Sequence, residues 1–327
     1  MHESNEQLAA EIALHLNEQF GLTVTEATPI EKGFLNVKWR MTTNKGNYFI
    51  KYYHPERYKM HIYPARRAEI EQVLQLQDEL SRAGIPCSNV YSFEKQWLQE
   101  TKSGLFYTVQ DWVDGHTVQA GSMNRAQMYH LGQVTGQMHK WLERVPPLEK
   151  NVSKPVQADY FTSWQNNWQA AQEAGDKTAQ EWLSRSQQIV QSIDFNLFDS
   201  CPIGWMHWDL WVDNILLHEQ GVTGIVDFDR MTMAYPEIDV ARVILSGALS
   251  KGHLDIEKVE AFMSGYREHS KAPADMLPRA LKLLYVFESI WWLRTEIRAQ
   301  MELRSLLGRF VEELHWIEDN WDKLPHI

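Results

Sequence analysis

Residues 207–217 read HWDLWVDNILL, and residues 225–229 read IVDFD. In both stretches, carboxylate or amide side chains stand beside a short apolar run with the length of a β-strand. If the two apolar runs pair as a hairpin, Asn214 and Asp227 come to the same end of its ladder and can share a hard cation through oxygen ligands. Asp209, five residues before Asn214, then faces the same cavity, where it can accept a proton from an attacking hydroxyl.

Aspartate and asparagine are also common in turns, because their side chains hydrogen-bond to the nearby backbone. A turn would therefore explain any one of these positions taken alone. It does not explain the whole set beside two apolar runs, so we interpret the set as a functional site.

The two stretches resemble the catalytic segments of the aminoglycoside phosphotransferase and choline kinase superfamily, the small-molecule relatives of protein kinases. There the catalytic loop reads H-G-D-x-x-x-x-N-I-L and a D-F-D or D-F-E segment follows; here residues 207–216 read HWDLWVDNIL and residues 227–229 read DFD. The resemblance implies a kinase that uses ATP and Mg²⁺ to phosphorylate a hydroxyl of a small molecule, such as an amino alcohol or a sugar. It also implies a protein-kinase-like, two-lobed fold of the α+β class.

The resemblance assigns roles to the polar residues of these segments. Asp209 becomes the catalytic base that orients and deprotonates the acceptor hydroxyl. Asn214 and Asp227 become magnesium ligands. Asp229, the last residue of the DFD triplet, would assist with the metal or the substrate.

Three residues around the loop would support it. His207 would brace the loop rather than catalyse. Asp239 matches the aspartate of the family's D-L-A segment, which pins the catalytic loop, and an ordinary helix N-cap would have nearly the same geometry. Trp208 departs from the family, which usually has glycine there, so a large indole must find room beside the substrate.

Hydrophobic periodicity predicts an α+β part followed by a mainly helical part. In the first part we expect a helix at 5–20, strands at 23–29, 36–42 and 47–53, a long helix at 65–83, and strands near 90–93 and 105–112. Later helices are predicted at 124–144, 160–174, 178–193, 254–269, 276–303 and 306–321. The expected domains are an N-terminal antiparallel-sheet lobe with one long helix at 1–110, a hinge at 111–115, and a larger, mainly helical lobe at 116–327.

The resemblance places the nucleotide-binding residues in the first lobe. Lys51 lies in the third predicted strand, where the family has the lysine that binds the α- and β-phosphates. Gly33 lies between the first two strands, where the family has its phosphate-covering loop, although a plain hairpin turn explains one glycine equally well. Residues 107–115 resemble the family's hinge, so backbone groups of Asp111 and Val113 would bind adenine.

The family's lysine is held by a glutamate of the following helix. Val73 and Leu80 mark the buried stripe of that helix, and Glu69 lies one turn before Val73 on the same stripe. Glu71 projects in roughly the opposite direction. We therefore predict that Glu69 pairs with Lys51, with Glu71 as the alternative.

Candidates for acceptor binding are Trp208 and Trp211 in the loop and Glu288 and Trp292 on a late helix. Aromatic faces next to a carboxylate can hold a sugar or a cationic amine. The same side chains would also suit a hydrophobic core, which is the more common place for an aromatic stripe on a helix.

Bulk properties exclude several classes of protein. The net charge of −11 argues against nucleic-acid binding, which needs a basic surface. No apolar stretch approaches the ~20 residues that span a bilayer. With two cysteines and no visible signal peptide, we expect a cytoplasmic protein whose partner is a small-molecule substrate. The acceptor's identity, the choice between ATP and GTP, and the oligomeric state stay open.

Three alternatives remain. Residues 51–57, KYYHPER, are similar to a bacterial stress-response branch of protein Ser/Thr kinases, but the usual activation segment is absent between Asp227 and Asp239. Some bacterial relatives are non-catalytic spore-coat proteins, although every catalytic residue type is kept here. A metal-dependent hydrolase is disfavoured because it would leave Lys51 without a role.

Overall fold

The computed structural model describes residues 4–31, 37–146, 152, 154–300 and 303–326. Its Cα positions group into two compact units, Met1–Gly115 with Thr223–Asp229, and His116–Val222 with Arg230–Ile327. The segment Thr223–Asp229 therefore belongs to the first unit, whereas the expected division assigned it to the second. The division into a nucleotide-binding lobe, a hinge and a catalytic lobe stays a prediction.

The first unit is built on one five-stranded sheet. Its strands have the order β1-β2-β3-β5-β4, and every pair is antiparallel. The elements are α1 (Asn5–Phe20), β1 (Val24–Pro29), β2 (Val37–Thr43), β3 (Gly46–Tyr52), α2 (Pro55–Tyr58), α3 (Pro64–Arg82), β4 (Gln99–Glu100) and β5 (Phe106–Asp111).

The β2–β3 hairpin sets the register of the site. Thr43 pairs with Gly46 around a two-residue loop, so Lys38 on β2 pairs directly with Lys51 on β3. Side chains opposite each other on antiparallel strands point to the same face of the sheet. The turn therefore places two lysines side by side.

The expected strand at 90–93 is wrong. Val90 makes a single bridge to Gln110, and the edge strand β4 forms further along the chain. Phe93 bridges Gln96 around a two-residue turn at Glu94 and Lys95, whose φ angles of 51° and 64° are left-handed. Residues 90–93 therefore form isolated bridges and not a ladder.

The second unit is mainly helical. Its small sheets are β6–β9, β7–β8 and β10–β11. Its elements, with β8 running into the segment that groups with the first unit, are α4 (Arg125–Leu142), α5 (Gln157–Glu173), α6 (Lys177–Ser192), β6 (Gly204–Met206), β7 (Ile215–His218), β8 (Gly221–Ile225), β9 (Thr232–Ala234), α7 (Glu237–Ala248), β10 (Leu249–Ser250), β11 (His253–Leu254), α8 (Ile256–Arg267), α9 (Met276–Trp292), α10 (Thr295–Ala299) and α11 (Arg304–Asn320).

Helix α7 is the centre of the second unit. All of its residues are buried, because it packs against both α8 and α9. The α4–α8 contact is close enough that a Cβ built on Gly132 would lie 2.0 Å from the Phe262 carbonyl oxygen. Within the described part of the chain, no helix is long and apolar enough to cross a membrane.

Candidate active site

The loop that begins at His207 is held by a buried carboxylate. Asp239 has no exposed surface and lies in the first turn of α7. Its Oδ2 accepts a hydrogen bond from the His207 amide at 2.7 Å, and its Oδ1 accepts one from the Trp208 amide at 2.9 Å. His139 of α4 places Nε2 3.2 Å from Oδ2. One side chain therefore ties the loop to two helices.

Trp208 takes a backbone conformation that normally belongs to glycine. Its φ is 68°, in the left-handed region that costs an L-residue about 1 kcal/mol. This explains why the related motif has glycine at the same position. The indole makes an edge-to-face contact with Phe287 of α9, with ring centroids 5.3 Å apart, and it is partly exposed.

Asp209 and Asn214 are linked within the loop. Asn214 Nδ2 donates to the Asp209 carbonyl at 2.8 Å and to Asp209 Oδ2 at 3.2 Å. These bonds use the amide nitrogen and leave Oδ1, the atom that binds cations, for another partner. The Asp209 side chain is 31% exposed, and Arg230 Nη1 lies 3.8 Å from its Oδ1. His207 Nδ1 accepts from the Asp209 amide at 3.3 Å, so this buried histidine braces the loop.

Asp227 lies in the first unit against both lysines of the β2–β3 pair. Lys51 Nζ is 2.7 Å from Asp227 Oδ1, and Lys38 Nζ is 3.4 Å from Oδ2. Burial opposes the charge on Lys51, but the carboxylates of Asp227 and Asp229 raise its pKa above the ordinary value. Burial lowers the pKa of Lys38. The structure thus brings the predicted phosphate-binding lysine and the predicted metal ligand together.

Asp229 is surrounded by hydrogen-bond donors. Its Oδ2 lies 2.6 Å from Lys51 Nζ and accepts from the Tyr58 hydroxyl at 2.6 Å. Its Oδ1 accepts from the Tyr53 hydroxyl at 3.3 Å. Burial and the Asp229 charge raise the pKa of Tyr58, so Tyr58 stays a hydroxyl donor at neutral pH.

Three residues of this cluster, Lys38, Tyr53 and Tyr58, did not emerge from the sequence. The register of the β2–β3 hairpin would have revealed Lys38, since counting back from a two-residue loop pairs it with Lys51. No local signal points to Tyr58, which lies 171 residues from Asp229 in the chain.

Among the described residues, the ion-pair partners of Lys51 are Asp227 and Asp229, and the pairing of Lys51 with Glu69 remains a prediction. Glu69 Oε2 lies 3.3 Å from Arg66 Nη1, and its side chain is 45% exposed. The alternative, Glu71, accepts from the backbone amides of Trp97 and Leu98 at 2.6 and 2.7 Å. Both glutamates therefore have other partners. Gly33 lies outside the described residues.

The predicted hinge follows β5. The Asp111 amide donates to the Asn89 carbonyl at 3.1 Å, and its carboxylate accepts from Tyr91 Oη at 2.7 Å and from Asn89 Nδ2 at 2.5 Å. Val113 packs closely against β8, since a Cβ on Gly224 would lie 2.8 Å from Val113 Cγ1. In the described part of the chain, no hydrogen bond is made by the Val113 amide, which leaves it for a ligand.

The acceptor candidates on α9 belong to a buried ion pair. Glu288 Oε1 lies 2.6 Å from Arg242 Nη2, and its other oxygen accepts from the Trp292 indole. Trp292 stacks on Phe310 with ring centroids 4.3 Å apart, and Trp211 contacts the same ring at 5.2 Å. The Glu288 charge is thus already compensated by Arg242, a partner that the sequence pattern does not predict.

Comparison with known proteins identifies the family of the chain. The model of the phosphotransferase enzyme family named APH matches residues 26–277. The chain belongs to this family. It is 20% identical over 272 residues to a homoserine kinase of Mesorhizobium japonicum, covering 81% of this chain and 80% of that protein.

Solved structures of the same kind have the same fold. Amicoumacin kinase hAmiN, in complex with AMP-PNP, Ca²⁺ and Ami, superposes with a TM-score of 0.64 at 16% identity, over 98% of this chain and 96% of that one. Choline kinase from Cryptosporidium parvum Iowa II superposes with a TM-score of 0.57 at 13% identity, over 91% and 90%. The predicted kinase-like α+β fold is confirmed, as is a small-molecule phosphotransferase that acts on a hydroxyl group.

The polar residues of this APH family member fit a magnesium ion. In the described part of the chain, no three His, Cys, Asp or Glu side chains form a metal cage. Mg²⁺ in kinases does not require one, because one or two carboxylates and the substrate phosphates suffice. Each oxygen of Asp227 lies close to the ammonium group of a lysine. The Asp227 carboxylate therefore lies in a position that stabilises positive charge.

Proposed function

We propose that the protein transfers the γ-phosphate of ATP, with Mg²⁺, to a hydroxyl of a small molecule that carries an amine. The observation that carries this proposal is the 2.7 Å contact between Lys51 Nζ and Asp227 Oδ1. These residues are 176 positions apart in the sequence, and a kinase-type nucleotide site brings the phosphate-binding lysine and the metal-binding aspartate close together. A random surface lysine would be solvated, yet Lys51 is 2% exposed.

Nucleotide binding is proposed for the first unit. Lys51 and Lys38 carry the positive charge that phosphate groups need. The Val113 amide and the backbone carbonyl of Asp111 would bind the base, since the Asp111 amide already donates to the Asn89 carbonyl. The AMP-PNP of the amicoumacin kinase complex supports this assignment.

Asp227 and Asn214 would hold the magnesium ion through oxygen atoms. When bound, Mg²⁺ neutralises charge that develops on the transferred phosphoryl group. Asp227 offers a carboxylate that is 26% exposed, and Asn214 keeps its amide oxygen for this purpose because its nitrogen binds Asp209.

Asp209 would orient the acceptor hydroxyl and take its proton. Its carboxylate is partly exposed, so an acceptor can reach it, and Asn214 fixes one oxygen at 3.2 Å. Fixing the base in this way lowers the entropy cost of aligning the hydroxyl with the phosphoryl group. Asp239 contributes indirectly, since it holds the backbone of residues 207 and 208.

The amine in the acceptor is inferred from two of the relatives. Homoserine and choline, the compounds named in those proteins, each carry a hydroxyl and a cationic nitrogen. The net charge of −11 favours the approach of a net cation such as choline. Trp208, Trp211 and Trp292 remain the proposed aromatic contacts. Glu288 would bind an amine of the acceptor while it also pairs with Arg242.

A cytoplasmic location is part of the proposal. Both cysteines, Cys87 and Cys201, are buried free thiols. A reducing compartment that supplies ATP agrees with this state.

The test is a screen of purified protein with ATP and Mg²⁺ against homoserine, choline, ethanolamine, amino sugars and simple sugars. Phosphorus NMR of the product identifies the bond that forms. We expect turnover with at least one amine-bearing alcohol and loss of about 10³-fold or more in Asp209→Asn, with an unchanged melting temperature. Full activity of Asp209→Asn would refute the role of the base, and acceptors limited to neutral sugars would refute the amine.

A further inference from the structure

In the described part of the chain, each acidic residue of α3, the long helix of the first unit, has a partner other than Lys51. Its acidic residues are Glu69, Glu71, Asp78 and Glu79. Glu69 pairs with Arg66, and Glu71 accepts from two backbone amides. Asp78 bonds to the Val90 amide and to the Trp97 indole, and Glu79 accepts from Gln75. The ammonium of Lys51 must therefore find its countercharge on another element.

Asp229 occupies that role in the structure. It lies 2.6 Å from Lys51 Nζ, and its carboxylate is 14% exposed against 26% for Asp227. Two tyrosine hydroxyls fix both of its oxygens, with Tyr58 on Oδ2 and Tyr53 on Oδ1. A cation could reach Oδ2 only by displacing Lys51 or Tyr58.

The two tyrosines are rigid donors. Tyr53 and Tyr58 touch edge to face at 4.8 Å, and both belong to a buried cluster that includes Ile70 and Leu74 of α3. Tyr58 lies on helix α2, which starts with Pro55 after a His54 N-cap. The side of α3 that faces these tyrosines is therefore apolar.

We propose that Asp229, fixed by Tyr53 and Tyr58, is the positioning residue that holds Lys51 for the nucleotide phosphates, and that it is not a magnesium ligand. This inference rests on the proposed function. It gives the two carboxylates of the DFD triplet different roles. Asp227 binds the metal, and Asp229 pairs with Lys51 in place of a glutamate from the helix.

The experiment is calorimetric titration of AMP-PNP into the full chain at several Mg²⁺ concentrations. It reports both nucleotide affinity and the Mg²⁺ concentration that gives half-maximal binding. The variants are Asp229→Asn, Asp227→Asn and Tyr58→Phe. Tyr63→Phe is the matched control, because the Tyr63 side chain is 59% exposed on the neighbouring loop.

We expect Asp229→Asn to weaken AMP-PNP binding about tenfold, the effect of losing a charged hydrogen-bond partner, with an unchanged half-maximal Mg²⁺ concentration. Tyr58→Phe should weaken binding about threefold, while Tyr63→Phe leaves it unchanged. Asp227→Asn should raise the Mg²⁺ requirement. Because Tyr58→Phe removes one hydroxyl only, it tests the inference even where Asp229→Asn does not fold.

Three results would overturn the inference. In the first, Asp229→Asn shifts the Mg²⁺ requirement as Asp227→Asn does, which makes Asp229 a metal ligand. In the second, Asp229→Asn and Tyr58→Phe both bind AMP-PNP like the wild type. In the third, Glu69→Gln weakens binding as much as Asp229→Asn, which returns the role to the helix. A wild-type protein that binds no Mg²⁺·AMP-PNP would instead reject the proposed function itself.

Discussion

Replacing Gly132 by alanine tests the packing that supports the catalytic loop. The added Cβ would lie 2.0 Å from the Phe262 carbonyl oxygen and 2.9 Å from the Tyr266 amide nitrogen. Both are backbone atoms of α8, so no side chain can rotate away. Helices α4 and α8 would have to separate by about 1 Å, and such overpacking costs about 1–3 kcal/mol or somewhat more.

Helix propensity acts in the opposite direction. Alanine is about 1 kcal/mol more favourable than glycine inside a helix. The net loss for Gly132→Ala is therefore about 1–2 kcal/mol when the overpacking cost lies at 2–3 kcal/mol. Gly308→Ala in α11 is the matched control, since no described atom lies within 4 Å of its Cβ, and it should gain stability.

Thermal unfolding measures both variants. For a unit of this size, 1 kcal/mol corresponds to about 2–4 °C in Tm. We expect Gly132→Ala to melt several degrees below the wild type and Gly308→Ala slightly above it. Because α4 carries His139, which contacts Asp239, phosphotransfer should also decline below the melting transition. Equal or higher Tm in Gly132→Ala would refute the close contact between the two helices.

Three further predictions follow from charges. Burial raises the pKa of Glu318 to about 7, so the folded protein binds a proton that the unfolded chain has released, and stability should fall as pH rises from about 4.5 to 7. Glu318→Gln should flatten that part of the Tm–pH curve, and an unchanged slope would contradict the assignment. Asp239→Asn leaves one oxygen for two loop amides that bind separate oxygens; kcat should fall at least tenfold and Tm by several degrees, and retained kcat would contradict the pinning role. Lys38→Met should raise the KM for ATP about fivefold with kcat less affected, and an unchanged KM would remove Lys38 from the phosphate site.

Local patterns in the sequence predicted the elements that have local causes. The β2–β3 hairpin follows from its two-residue loop, and α3 (Pro64–Arg82) follows from a buried stripe and a helix stop. The strand expected at 90–93 was wrong, because Val90 and Phe93 form only isolated bridges to Gln110 and Gln96, and a local pattern does not show how far a ladder extends. The helix expected at 276–303 is interrupted, since Arg294 has extended backbone at ψ 140° between α9 and α10.

The candidate site also combines residues that the local motif predicts with contacts that depend on tertiary packing. The motif located Asp209, Asn214 and Asp227, and the structure brings Lys51 to Asp227, although their roles remain proposals. The ion pair between Lys51 and Asp229, which are 178 positions apart, depends on tertiary packing that local patterns do not reveal. The same holds for Glu288, whose countercharge Arg242 lies on another helix.

The charges of the first unit explain why nucleotide binding should depend on a divalent cation. Lys38 and Lys51 carry two positive charges, and Asp227 and Asp229 carry two negative ones, so the four side chains sum to zero. A polyphosphate gains little from a lysine that is already neutralised at 2.7 Å. On the proposed roles, a cation that takes over Asp227 would leave two ammonium groups against one carboxylate, Asp229, so that a net positive charge faces the phosphates. Nucleotide affinity should therefore rise steeply with Mg²⁺, and equally tight binding in excess chelator would contradict this balance of charges.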